Sequence, residues 1–220
     1  MSRTVLITGG AGGLGGAVVA AFADEGWRVV APVRRAGAEV AGAETVVADL
    51  TDAGAVAAAA ALAAGDAAAP LRAVVCAAGA FAGGQPVAST PVEDFEAQFA
   101  VNVRTAYVTI QAALPHLVAA GGGAIVCVGS RAAAHPFAGA AGYCASKAAL
   151  ETLAAVVARE HRDDGIRCNT IVPGVIDTPA NRAAGMTGGV PPAQIARVVR
   201  FLCGDEAAAT NGAAVPVYPP

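Results

Sequence analysis

The feature that most constrains this chain is a strict alternation. Short apolar runs rich in Val and Ile trade places with alanine-rich segments long enough to be helices. The runs fall near residues 4–8, 28–33, 44–48, 72–77, 124–129, 167–172 and 213–217. Helical segments are expected near 13–25, 52–64, 91–117, 142–163 and 192–203. Runs that are apolar almost without interruption must be covered on both faces, which an all-parallel sheet achieves. Strand–helix alternation leads to the same answer. The expected class is therefore α/β: a doubly wound parallel sheet of about seven strands with helices on both faces. No internal repeat or linker interrupts the 220 residues, so one domain spanning 1–220 is expected. A domain of that size buries roughly 70–75% of the surface its unfolded chain exposes.

Composition removes several function classes. Hydrophobic residues make up 55% of the chain, but alanine and 27 glycines supply much of that share. The segment 105–130 carries no Asp, Glu, Lys or Arg, yet Pro115, His116 and the glycines at 121–123 divide it. Neither half reaches the ~20 apolar residues of a membrane span. Too few residues precede the first strand to hold an apolar signal core, so a cytoplasmic protein with no membrane partner is expected. A net charge of −3, with no basic run and no aromatic platform, points away from nucleic acid. Five dispersed cysteines without a Cys-x-x-Cys pair fit packed thiols in a reducing compartment. His116, His135 and His161 stand apart from one another and from the cysteines, so no metal site is expected.

The first strand runs into Thr8-Gly-Gly-Ala-Gly-Gly-Leu-Gly15 and then a helix. Bare α-carbons let backbone approach a pyrophosphate, and the helix amino terminus offers free N–H groups and a positive dipole end. Gly9, Gly13 and Gly15 are the positions that chemistry needs. Asp49, after the third strand, can accept a hydrogen bond from an adenine amino group, or can cap a helix in competition with Asp52. The second strand ends Ala31-Pro-Val-Arg-Arg35, with Val33 where a carboxylate would bind a ribose 2′-hydroxyl. Arg34 follows, and a guanidinium suits a 2′-phosphate, so NADP(H) is favoured over NAD(H). Arg34 and Arg35 also fit ordinary solvated charges after a strand.

Tyr143-Cys-Ala-Ser-Lys147 places a phenol and an ammonium four apart, on one face of a helix. An ammonium beside a phenol favours the phenolate and lowers its pKa from about 10. Ser130 closes the apolar run 124–129, where a strand's carboxyl end would present its hydroxyl to a carbonyl oxygen. Together the three suit reduction of a carbonyl or oxidation of an alcohol. Taken alone, the Tyr–Lys spacing fits equally one buried ring and one solvated ammonium.

In combination these pieces resemble the short-chain dehydrogenase/reductase family, a Rossmann-type fold. The matching segments are 8–15, Asp49-Leu50, Ala77-Ala-Gly79, Asn102, Ser130, Tyr143-x-x-x-Lys147 and Pro173-Gly-Val-Ile-Asp-Thr178. The resemblance implies an oxidoreductase acting on a small carbonyl or alcohol, with Tyr143 as acid in reduction and Ser130 orienting the oxygen. Lys147 would tune Tyr143 and hold the nicotinamide ribose. Asn102 would hold a water linking Lys147 to solvent, or cap a break in a long helix. Thr178 would contact the nicotinamide carboxamide, with Pro173, Gly174 and Ile176 nearby. Leu14, Leu50, Ala78 and Gly79 fall in the matching cofactor segments. A homodimer or homotetramer, pairing through helices 91–117 and 142–163, is also implied. The alternatives are an NAD-dependent alcohol dehydrogenase and a silent dinucleotide-binding sensor.

Departures from the family pattern are visible. Cys76 stands where the family commonly has Asn, the 34–44 connection is too short for a full helix, and the 178–191 segment over the substrate is abbreviated. His135 and Phe137 are candidate pocket residues, His135 fitting an exposed loop equally. Arg131 is read as solvated, and Trp27 as packing at a strand start.

Overall fold

The computed structural model describes residues 2–219. Seven parallel strands form its sheet: β1 (Thr4–Thr8), β2 (Arg28–Val33), β3 (Glu44–Val47), β4 (Leu71–Cys76), β5 (Gly123–Val128), β6 (Ile166–Pro173) and β7 (Ala214–Val217). Their order is β3-β2-β1-β4-β5-β6-β7. β1 is fully buried and pairs with β2 on one side and β4 on the other, so winding reverses beside it. In an open parallel sheet the crevice at that reversal, beyond the strands' carboxyl ends, is where ligands bind.

Helices α1 (Gly13–Ala23) and α7 (Pro192–Cys203) cover one face. Val18, Val19 and Phe22 of α1 and Ile195, Val199 and Leu202 of α7 meet Val5, Ile7 and Val126 there. On the other face lie α2 (Ala53–Ala64), α4 (Thr105–Ala119) and α5 (Ala141–Glu160). Ala60, Ala63, Ala113 and Ala154 let these helices sit close against Leu6, Val74 and Ile125. Asp52 caps α2 by accepting from the Gly54 and Ala55 N–H groups, which takes that role from Asp49.

Three local features differ from the sequence expectation. The helix expected over 91–117 begins as α3 (Val92–Phe99), passes through a π-helical turn at Ala100–Arg104 and continues as α4. Between Arg34 and Glu44 there is no helix at all, only turns with Gly37 and Gly42 at positive φ. After β6, Thr178 caps a five-residue helix, α6 (Pro179–Ala183), and an Ile176–Val190 bridge returns the chain to α7. So short a cover leaves the crevice beneath it open. No described helix is long and apolar enough to cross a membrane.

Candidate active site

The glycine turn is shaped by close approach. Gly9 has φ +73°, and a Cβ on it would come within 2.7 Å of the Ala78 nitrogen. A Cβ on Gly15 would overlap the Gly9 carbonyl, and one on Gly13 would meet Thr178 Cγ2 at 2.9 Å. Gly12 caps α1 without any side-chain hydrogen bond, which leaves first-turn N–H groups for a ligand.

Two adjoining cavities of about 630 and 710 Å³ share Gly9, Gly12, Ala77 and Gly79 and form one groove across the sheet's carboxyl edge. Arg34, Asp49, Leu50 and Ala78 line the first. Gly13, Leu14, Gly15, Ser130, Tyr143, Lys147, Pro173, Gly174 and Ile176 line the second, and no Asp or Glu does. A groove with bare backbone at its waist and no carboxylate in the larger cavity fits a dinucleotide with its dianionic pyrophosphate at the waist. Asp49 Oδ1 accepts from the Thr51 N–H at 2.8 Å and Thr51 hydroxyl at 2.7 Å, and these bonds hold its carboxyl below the ordinary value. Arg34 is close enough to add to that lowering.

Ser130 follows β5, and its hydroxyl accepts from the Ala132 N–H at 3.2 Å and stands near the Tyr143 phenol. Tyr143 and Lys147 stand one turn apart on α5. Lys147 is only 4% exposed, donates to the Val128 carbonyl at 2.9 Å and lies 5.8 Å from the Tyr143 ring centroid. Burial pulls its pKa down to about 8, against the opposing influence of Cys127 and Glu151. Tyr143 departs from expectation: burial of the phenol raises its pKa, and the Ser130 hydroxyl, rather than Lys147, draws it back. The physical reason is that the ammonium is turned to Val128 while the ring has lost water.

Asn102 is fully buried in the π-helical turn. Its Oδ1 accepts from the Ala80 N–H at 3.0 Å, and its Nδ2 donates to the Ala80 carbonyl at 3.0 Å and to Ser146 Oγ at 3.2 Å. Both amide hydrogens and one bond to Oδ1 thus pin the loop after β4 to α5. It stands directly behind Gly79, where a Cβ would meet Asn102 Oδ1 at 2.8 Å and Lys147 Nζ at 3.3 Å. Thr178 is the expected cofactor residue that lines neither cavity. Its methyl packs on Gly13 and its hydroxyl caps α6 through the Asn181 N–H, so Asn181 reaches the wall instead.

Phe81, absent from the sequence reading, forms the far wall. Its ring meets Tyr143 edge-on at 5.1 Å and Phe137 at 6.2 Å. His135, Phe137, Arg131 and Met186 also line this cavity. The signal for Phe81 was its place two residues past Gly79, but the partners that fix it lie some sixty residues on. Cys76 pairs in register with Cys127 at the sheet centre, with Cys168 near Cys127 and all three buried as free thiols, so thiols stand where the family commonly has an amide. Trp27 packs edge-on against Phe22 at 5.2 Å. A cavity of about 320 Å³ at the amino ends of β1 and β2 is walled by Arg3, Glu25, Arg200, Asp205 and Glu206. These are paired among themselves.

The family described as short chain dehydrogenase matches residues 3–187. A 2,5-dichloro-2,5-cyclohexadiene-1,4-diol dehydrogenase, LinX, from Sphingobium indicum is 36% identical, over 98% of this chain and 94% of that protein. The L-xylulose reductase of Bos taurus is 33% identical, again over 98% of this chain and 94% of that protein. A solved oxidoreductase structure of the short chain dehydrogenase/reductase family from Burkholderia thailandensis superposes with a TM-score of 0.87. It is 32% identical and covers 99% of this chain and 92% of that one. Fold, groove and sequence agree: the chain belongs to the short-chain dehydrogenase/reductase family of oxidoreductases, which act on alcohol and carbonyl groups with a nicotinamide dinucleotide.

Proposed function

We propose that the protein reduces a ketone or aldehyde with NADPH, with Tyr143 as the proton donor. The observation that carries this reading is the convergence of Ser130, Tyr143 and Lys147 on one cavity wall, continuous with the glycine turn. The dinucleotide supplies the hydride when bound. Ser130 fixes the carbonyl oxygen beside the Tyr143 hydroxyl, whose proton completes the alcohol as negative charge develops on that oxygen. Lys147, with its pKa lowered to about 8, holds a proton that it can release near neutral pH to restore the phenol. The groove orients the reactants, which contributes as much as the proton transfer.

Support for NADP(H) over NAD(H) comes from the end of β2. Val33 is buried, no carboxylate occupies the ribose-binding position, and Arg34 lines the adenosine-side cavity outside every ion pair found among the described residues. A homo-oligomer is part of the proposal. Tyr107 and Val118 on α4 and Val156 on α5 stay 50%, 41% and 42% exposed, as an uncovered apolar face would. Sedimentation should give a mass at least twice that of the chain. The activity is tested by following NADPH oxidation with a panel of ketones and aldehydes. Turnover with any member supports the reading, and none across acyclic, alicyclic and aromatic members overturns it.

A further inference from the structure

Resting on the carbonyl-reductase reading, we infer that the substrate is a ring-bearing carbonyl compound carrying an anionic group, the ring held by Phe81 and Phe137 and the anion by Arg131. Two independent parts of the cavity carry this.

The first is a fixed aromatic wall. Phe81 and Phe137 are 49% and 51% exposed, and both open onto the cavity that holds Ser130 and Tyr143. Exposed rings on floppy loops would carry no argument, but these segments are tied down. The Ala80 N–H and carbonyl both bond to Asn102, the Ala82 N–H donates to Gln98 Oε1 at 3.2 Å, and the Gly84 N–H donates to the Gly139 carbonyl at 2.7 Å. The last bond joins the Phe81 segment to the Phe137 segment. Val175, Ile176 and Met186 stand in the same lining. Flat apolar surface at aromatic spacing favours a planar or cyclic group next to the reacting carbon.

The second is Arg131, the residue after Ser130. Its guanidinium lies over the Tyr218 ring, 5.5 Å from the centroid, and that ring also packs toward Gly174. The attraction of the cation to the ring face restrains the guanidinium. A cation–π contact uses none of the guanidinium's N–H donors as hydrogen bonds to an acceptor atom. Among the described residues none of these donors has a hydrogen-bond or ion-pair partner, whereas Arg3, Arg28, Arg182 and Arg200 each hold a carboxylate. The cavity it lines contains no Asp or Glu, and His135 sits one turn on, its N–H bonded to the Arg131 carbonyl at 2.9 Å. A restrained fork of donors at an acid-free rim matches a carboxylate or another oxyanion.

The test compares kcat/KM for 4-acetylbenzoate, acetophenone and 3-oxobutanoate with NADPH, in the wild type and in Arg131→Gln and Arg131→Lys. The wild type should prefer 4-acetylbenzoate to both others. Arg131→Gln should lower the ratio of 4-acetylbenzoate to acetophenone roughly tenfold or more, through KM for the acid, with part of the ratio kept by Arg131→Lys. Equal or better use of acetophenone or of 3-oxobutanoate by the wild type overturns this inference and leaves the reductase reading standing. So does a ratio untouched by Arg131→Gln. Failure across the entire carbonyl panel removes both.

Discussion

Lys147 shows what the site costs the fold. Its pKa of about 8 lies below the unfolded value of about 10.4, because burial penalises the ammonium. A lysine depressed in this way destabilises the native state wherever the unfolded lysine is charged. The penalty is full below pH 8 and vanishes above about pH 10.5. Relative to Lys147→Met, the cofactor-free wild type should gain up to about 3 kcal/mol of stability between those pH values. Urea unfolding of both proteins at pH 7.5 and 10.5 measures it, and a difference that stays flat would contradict the burial argument. Asn102 shows the limit of reading one residue in isolation. Its place in sequence fitted either a catalytic amide or one at a break in a long helix, and only coordinates reveal that it sits in such a break and bonds Ala80 and Ser146.

At the scale of elements, strands were the most legible part. β1 and β2 occupy the expected spans because their runs are apolar throughout, and β3 stops one residue short, with the Ala48 N–H still bonded to the Val33 carbonyl. The π-helical turn left one mark, Asn102 as an amide fitting a helix break, while the rest of Ala100-Val-Asn-Val-Arg104 has the composition of ordinary helix. α6 did leave one: Thr178 followed by Pro179 is a cap and a first helical residue, easily passed over in a segment only five residues long. The glycine turn was legible because the positive φ of Gly9 and the crowding of Gly15 by the Gly9 carbonyl arise within one strand–turn–helix unit, whereas the contacts of Gly9 with Ala78 and of Gly13 with Thr178 come from distant segments. The aromatic wall was not, because Phe81 and Tyr143 meet only after the sheet is assembled. The turn-only connection after β2 carries its own prediction. With no helix to shield it, Arg34 stands exposed beside Asp49 on the adenosine-side cavity. Arg34→Ala should weaken NADPH binding roughly 10–100-fold and change NADH binding little. Equal losses for both, read by titration calorimetry, would assign Arg34 no part in choosing the cofactor.

Across the whole molecule, one sheet organises everything the chemistry uses. The reversal of winding beside β1 opens the groove, the π-helical turn and α5 close one side of it, and the short α6 leaves the substrate end accessible. The Tyr143 hydroxyl stands apart from the glycine turn proposed to hold the pyrophosphate, so removing that one oxygen should slow proton transfer and leave binding nearly intact. Single-turnover reduction of a substrate ketone with NADPH deuterated at the nicotinamide C4 tests this most directly, comparing wild type with Tyr143→Phe. The wild type should place deuterium on the alcohol carbon. The variant should bind NADPH with nearly unchanged affinity yet react about 10²–10⁴-fold more slowly. Deuterium transfer at the wild-type rate by Tyr143→Phe would show that this phenol is not the proton donor.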